Sequence, residues 1–256
     1  MNREPARAIR ILASLALAAS PMLVVGSSPT NAKRDAEFSF TRLIYASNPW
    51  IARGWGGRPM WTTDAPEAET HFLQGVRRLT RINAASEGTA VSLEDDELFD
   101  HPFLYAVEVG TWFLDENDAA RLREYLLRGG FLMVDDFHGV AEWESFMESM
   151  RRVFPDRPVV EIHDTDEVFH VLYDLDERTQ IPGIYSVMNG TTYEKGGVTP
   201  HWRGIYDDEG RLVVVINFNM DMGDAWEHAD WPQYPEPLTA LAYRFGINYL
   251  LYSMTH

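Results

Sequence analysis

The hydrophobic and polar positions of this chain change period several times, and each change marks an element. Residues 131–134, Phe-Leu-Met-Val, are apolar with no polar alternation. A strand without a wet face is covered on both sides, as parallel strands in layered α/β proteins are. Before it, Leu122, Tyr125 and Leu126 recur at helical spacing behind an N-cap candidate, Asp115, and Gly129-Gly130 suits the helix end. After it comes an abrupt acidic turn, Asp135-Asp136-Phe137-His138. The same pattern predicts a first strand over 40–46, a helix carrying Phe72, Val76, Leu79 and Ile82, and strands over 89–93 and 103–107. Trp143, Phe146, Met147, Met150 and Phe154 stand at i, i+3, i+4, i+7 and i+11, an amphipathic helix stopped by Pro155. That stripe is core rather than a cofactor box.

Beyond residue 159 the pattern loosens. Residues 159–162 read as a fifth strand, and 202–206 and 211–216 flank Asp207-Asp208-Glu209-Gly210, a hairpin signal. Leu238, Leu241, Ala242, Phe245, Tyr249 and Tyr252 make a closing helix, with Pro237 near its start. Strands alternating with helices predict an α/β fold. The expected form is three-layered, flavodoxin-like and doubly wound: a mostly parallel sheet with an antiparallel hairpin at one edge. Ligands of such sheets bind outside the carboxyl ends of the strands, where the acidic turn lies.

Composition changes the picture at the N-terminus. Arg3, Arg7 and Arg10 precede an apolar run from Ile11, and Thr30-Asn31-Ala32 offers a small-residue cleavage point. This predicts a signal peptide over 1–32, a linker over 33–39 and one domain over 40–256, exported to the periplasm or the extracellular space. The run is broken by Ser14, Ser20 and Pro21, so no membrane span is expected in the mature chain. Losing three Arg and one Glu with the leader moves the formal net charge from −17 to −19. Such a chain repels nucleic acid and anionic membranes, which need basic patches. With no cysteine there is no disulfide, thiolate nucleophile, Cys-bound zinc or lipobox.

Two acidic segments carry the candidate chemistry. Asp135, Asp136 and His138 suit a metal or a shared proton; alternatively one Asp caps a helix and the other is solvated. Neighbouring strand residues point to opposite faces, so Asp135 and Asp136 alone make a poor catalytic pair. Asn217, Asn219, Asp221 and Asp224 form the second segment, and Trp226 and Glu227 extend it. If the preceding strand runs on, Asn217, Asn219 and Asp221 share a face and offer oxygen ligands. It is no EF-hand: Met222 replaces the required Gly and His228 the bidentate Glu. A local Asx-turn network is the other reading. His201 opens the hairpin that delivers Asn217 and Asn219. The glycine- and tryptophan-rich loop around Trp50, Trp55 and Trp61 contains no phosphate-binding motif and suits an aromatic lid, with Arg58 as counter-charge. Asp136, His138, Asp221 and Asp224 are the candidate ligands for a divalent cation.

Three stretches carry a resemblance. Leu-Arg-x-x-Leu-x-x-Gly-Gly-Phe-Leu-x-x-Asp-Asp (122–136), Asn219-x-Asp221-x-Gly223-Asp224-x-Trp226-Glu227 and Arg244-x-Gly246-x-Asn248-Tyr249 resemble a bacterial domain family of unknown function. That family is placed in the class I glutamine amidotransferase-like superfamily, near the trehalose-utilisation-type domains. The resemblance spans residues 40–256 and implies a flavodoxin-like sandwich and an envelope context, without an agreed chemistry. Amidotransferases of that superfamily use a nucleophilic cysteine; none is present, so their activity is not carried over.

Three functions fit. The favoured one is an exported domain binding a polar ligand, a glycan fragment or a cation, in an acidic, aromatic-lined crevice. The alternatives are a hydrolase with Asp/His acid–base or metal-assisted chemistry, and an envelope-protein interaction module with a vestigial site.

Overall fold

In the computed structural model, residues 36–48 and 58–256 are described. The leader and most of the glycine–tryptophan loop, including Trp50 and Trp55, lie outside them. The strands are β1 (Thr41–Ile44), β2 (Ala46–Ser47), β3 (Thr89–Ser92), β4 (Phe103–Val107), β5 (Trp112–Phe113), β6 (Phe131–Asp135), β7 (Val160–Glu161), β8 (His201–Tyr206) and β9 (Leu212–Phe218). The α-helices are α1 (Glu67–Leu79), α2 (Glu116–Leu127), α3 (Gly139–Val153), α4 (Ile184–Met188), α5 (Met222–Glu227) and α6 (Glu236–Thr255).

Seven strands form one mainly parallel sheet in the order β3-β1-β4-β6-β9-β8-β7, and β2 pairs with β5 apart from it. The first five strands of that order run parallel, whereas β8 is antiparallel to β9 and β7 to β8. The apolar run at 131–134 lies in β6, between β4 and β9, and is wholly buried. The hairpin is formed by β8 and β9, but it is not confined to an edge. Every residue of β9 is buried, so this strand needs cover on both faces and pairs inside the sheet. The short, exposed β7 takes the edge instead.

Alternate strand residues feed two cores. Phe103, Tyr105, Phe131 and Met133 pack with α1 and α6, while Leu104, Ala106, Leu132 and Val134 pack with α2 and α3. Helix α2 begins as its sequence demands: Asp115 accepts the N–H groups of Asn117 and Asp118 in a capping box, and Gly129 leaves the helix at φ 109°. Among the described residues no helix is long and apolar enough to cross a membrane. Every parallel strand points its carboxyl end to one edge of the sheet. There β1 has neighbours on both sides whose connections depart in opposite directions, the kind of place where open α/β sheets form a crevice.

Candidate functional site

Backbone hydrogen bonds join the two acidic segments at that edge. Asp136 N–H donates to the Met220 carbonyl (3.1 Å) and Asn219 N–H to the Phe137 carbonyl (3.0 Å). Gly139 N–H donates to Asn219 Oδ1 at 2.9 Å, although 80 positions separate them in the chain. Beneath this seam, Asp135 points inward. Its Oδ2 accepts the Met222 and Gly223 N–H groups and the Tyr105 hydroxyl, so the last residue of β6 caps the first turn of α5. Burial and the neighbouring Asp136 charge push the Asp135 carboxyl up to about 7, against the pull of those three donors.

Above the seam lies a cleft of about 450 Å³, lined by Asp64, Glu108, Asp136, Lys195, Asp221 and Asp224 among others. Its backbone is unusual. Among the described residues, five that are not glycine have positive φ: Asp64 (60°), Glu108 (53°), Asp136 (51°), Lys195 (47°) and Asn219 (64°). Four of them line this cleft, and Asn219 accepts the Gly139 N–H at the start of α3. A left-handed residue of this kind costs about 1–2 kcal/mol, so the surrounding fold must hold each in place. Such strain gathers where geometry matters more than stability.

Electrostatics strain the same cleft. The Asp64 Oδ2 and Glu108 Oε2 atoms are buried without a hydrogen-bond partner. Asp221 caps α5 by accepting the Asp224 N–H at 2.8 Å. Asp64, Asp221 and Asp224 each offer a carboxylate oxygen, and these oxygens lie within 4.8 Å of one another. Burial, then the Asp136 and Asp224 charges, push Asp64 and Asp221 well above the usual carboxylate range. Burial and Asp136 push Glu108 up to about 9, opposed by Lys195. Asp224 differs: burial works to raise it, but the His228 ring and the Ile184 N–H outweigh burial and hold it low. His228 is raised in turn; burial works against its charge, and Asp224 more than offsets it. Carboxylates packed this closely cannot all ionise unless a counter-charge joins them.

The protein supplies few counter-charges. Lys195 Nζ lies 2.7 Å from Glu142 Oε1. Burial would lower its pKa, but Glu108, Glu142 and Asp136 together raise it. Arg58 lines the cleft, yet its guanidinium bonds Thr62 in its own turn. The structure therefore gives Lys195 and His228 the counter-charge role expected of Arg58. A buried arginine works from behind. Arg42 binds both oxygens of Glu69 (2.9 and 2.6 Å) and donates to the Trp61 and Thr63 carbonyls, fixing the turn that carries Asp64.

Of the residues singled out in the sequence, Arg58, Asp136, Asp221, Asp224 and Glu227 meet in the cleft. His138 lies beside it, 2% exposed, its Nε2 3.1 Å from Asp136 Oδ1 and its Nδ1 without a partner. Asn217 faces inward, donating to the Val134 carbonyl and accepting from the Tyr249 hydroxyl. The expected alternation through Asp221 fails because β9 ends at Phe218 and Asn219 turns left-handed. His201 pairs with Glu161 at 2.8 Å and stacks on Phe218, apart from the cleft lining. Trp226 is fully buried against Phe72 (ring centroids 4.6 Å apart), which makes it core rather than a ligand platform. Trp55 lies outside the described residues. The expected ligand set of Asp136, His138, Asp221 and Asp224 is also regrouped: Asp221 and Asp224 cluster with Asp64.

Asp64, Glu108 and Lys195 escaped the sequence reading. Glu108 had a usable signal, since it follows the apolar strand 103–107 just as Asp135 ends 131–134. Asp64 and Lys195 stand in polar turns with no local mark of function.

The chain belongs to the family DUF4159, a domain of unknown function, which matches residues 40–254. No curated protein matches it.

Proposed function

We propose that this DUF4159 domain binds a cationic ligand in the acidic cleft at the carboxyl edge of its sheet. The observation that carries this reading is the pair of buried, partnerless carboxylate oxygens, Asp64 Oδ2 and Glu108 Oε2, in a cleft where acids outnumber bases. Partnerless buried oxygens favour a ligand that brings positive charge. A glycan is less well served. Sugar rings favour aromatic platforms, but Trp226 is in the core and the aromatic side chain lining the described cleft is Tyr185, 76% exposed. A hydrolase relying on Asp136 and His138 is less well served too, because His138 does not line the cleft.

The basic and apolar leader supports export, and with it a periplasmic or extracellular ligand. The five parallel strands, numbered among themselves, stand in the order 2-1-3-4-5. That order supports a flavodoxin-like fold and kinship with the class I amidotransferase-like superfamily.

A thermal-shift panel of the purified protein at neutral pH tests the ligand class. Inorganic cations or small amines should raise the melting temperature and neutral sugars should not. Stabilisation by sugars alone would sink the proposal.

A further inference from the structure

We infer that Asp64, Asp221 and Asp224 hold a hard divalent cation, an inference that rests on the cleft being a site for positive charge. The three carboxylates come from two separate parts of the chain. Asp64 lies in the turn before α1, Asp221 is the N-cap of α5, and Asp224 is in its first turn. Their oxygens lie within 4.8 Å of one another. With bonds of about 2.3–2.6 Å, oxygens in a calcium shell lie from about 2.7 Å apart as neighbours to about 5.2 Å apart when opposite, and the spacing of these three falls within that range.

An acidic cluster alone does not make a metal site, but two further observations point to a ligand. Glu108 is 4% exposed, lines the same cleft, and has a buried Oε2 with no partner. The second is Gly183. A Cβ there would lie 2.6 Å from Asp221 Oδ2, 2.8 Å from Glu194 Oε1 and 3.0 Å from Asp224 Oδ2. The φ of Gly183 is −66°, so its backbone does not require glycine; the space does. Three carboxylate oxygens thus close on the point where a side chain would begin, an approach that only glycine permits. Glu194 thereby stands beside Asp221 and Asp224 as a further oxygen donor.

The donor set selects the ion. All three groups are carboxylates, and the nearby His228 has its Nδ1 engaged by the Asp224 carbonyl (3.0 Å) and carboxylate (3.3 Å). Oxygen-only sites suit calcium, magnesium or manganese; nitrogen and sulfur would be needed to favour zinc or copper. The three oxygens leave room for water or a ligand's own oxygen to complete the shell.

The test is calorimetric titration of the full protein, stripped with chelator, with Ca²⁺, Mg²⁺ and Mn²⁺ in turn. One of them should bind at one ion per chain. Asp64→Asn and Asp221→Asn should each weaken binding at least tenfold, and Asp156→Asn, an exposed acid elsewhere, should leave it unchanged. Asparagine at 221 keeps a capping oxygen, and Asp64 caps nothing, so at least one variant folds. Circular dichroism of each variant in chelator verifies this. The assignment is overturned if no divalent ion binds, or if binding survives both variants. Should an organic amine stabilise the protein while no divalent ion binds, the metal assignment falls and the broader cationic-ligand reading stands. If neither binds, both fall.

Discussion

Asp135 and Met222 lie 87 positions apart in the chain, yet the Asp135 carboxylate accepts the Met222 N–H at 2.8 Å. The same oxygen takes the Gly223 N–H at 3.0 Å. Strand β6 thus sets where α5 begins, and α5 carries Asp224 into the cleft. Removing the carboxylate leaves buried donors unpaired, a loss of about 1–3 kcal/mol for each. Asp135→Ala should therefore destabilise the protein by roughly 2–6 kcal/mol in urea unfolding. Asp135→Asn retains an accepting oxygen and should cost less than half as much. Equal losses for the two variants would show that the cap is not the cause.

Glu108 predicts a pH dependence. Its pKa is raised from 4.5 to about 9 in the folded protein, so the folded state holds a proton that the unfolded state has lost throughout that window. Stability must then fall as pH rises between those values. In chelator, the wild type should be more stable at pH 5.5 than at pH 8. Glu108→Gln should flatten this slope and add about 1–3 kcal/mol at pH 8, because the folded wild type must take up a proton there that glutamine never needs. Denaturant midpoints at the two pH values measure both effects. A wild type that gains stability toward pH 8 would contradict the placement of Glu108.

Gly183→Ala separates space from backbone. The conformation at Gly183 suits alanine, but the new methyl would meet the oxygens of Asp221, Glu194 and Asp224. The variant should fold with a penalty of about 1–3 kcal/mol, typical of overpacking. Its thermal-shift response to cations should be largely lost. A full response at wild-type midpoints would mean that the close approach of these oxygens at Gly183 plays no part in binding.

Arg42 and Glu69 form a buried ion pair at 2.6 Å behind the Asp64 turn. Breaking one side of such a pair strands the other charge, at about 3–5 kcal/mol. Arg42→Met should show that loss in urea unfolding, and adding Glu69→Leu should recover a large part of it. Strict additivity in the double-mutant cycle would argue against the pair.

Export predicts processing. Mass spectrometry of the protein from its native host should find the N-terminus near residue 33; an intact Met1 would refute it.

The apolar run at 131–134, the amphipathic stripe from Trp143 and the hairpin turn at 207–210 were legible because each is dictated by neighbours in sequence. Burial on both faces demands an unbroken apolar strand, and a helix repeats its buried face every three to four residues. The strand-end rule likewise located Asp136 at the sheet's carboxyl edge. Which oxygens face one another was not legible. The outcome at Asn219 depends on where β9 stops, and a single left-handed residue there redirects Asn217, Asn219 and Asp221 to different surroundings. Trp226 stood with the acidic segment as a candidate site residue because α5 is only six residues long, too short to announce a buried face. Asp64 joins the cluster from a turn that buried Arg42, on a different element, helps to hold. Sequence by itself determined the layers, the edge and the excess of acid. Tertiary structure decided the partners, because a carboxylate's environment is set by contacts between segments eighty or more residues apart, and local periodicity carries no record of those contacts.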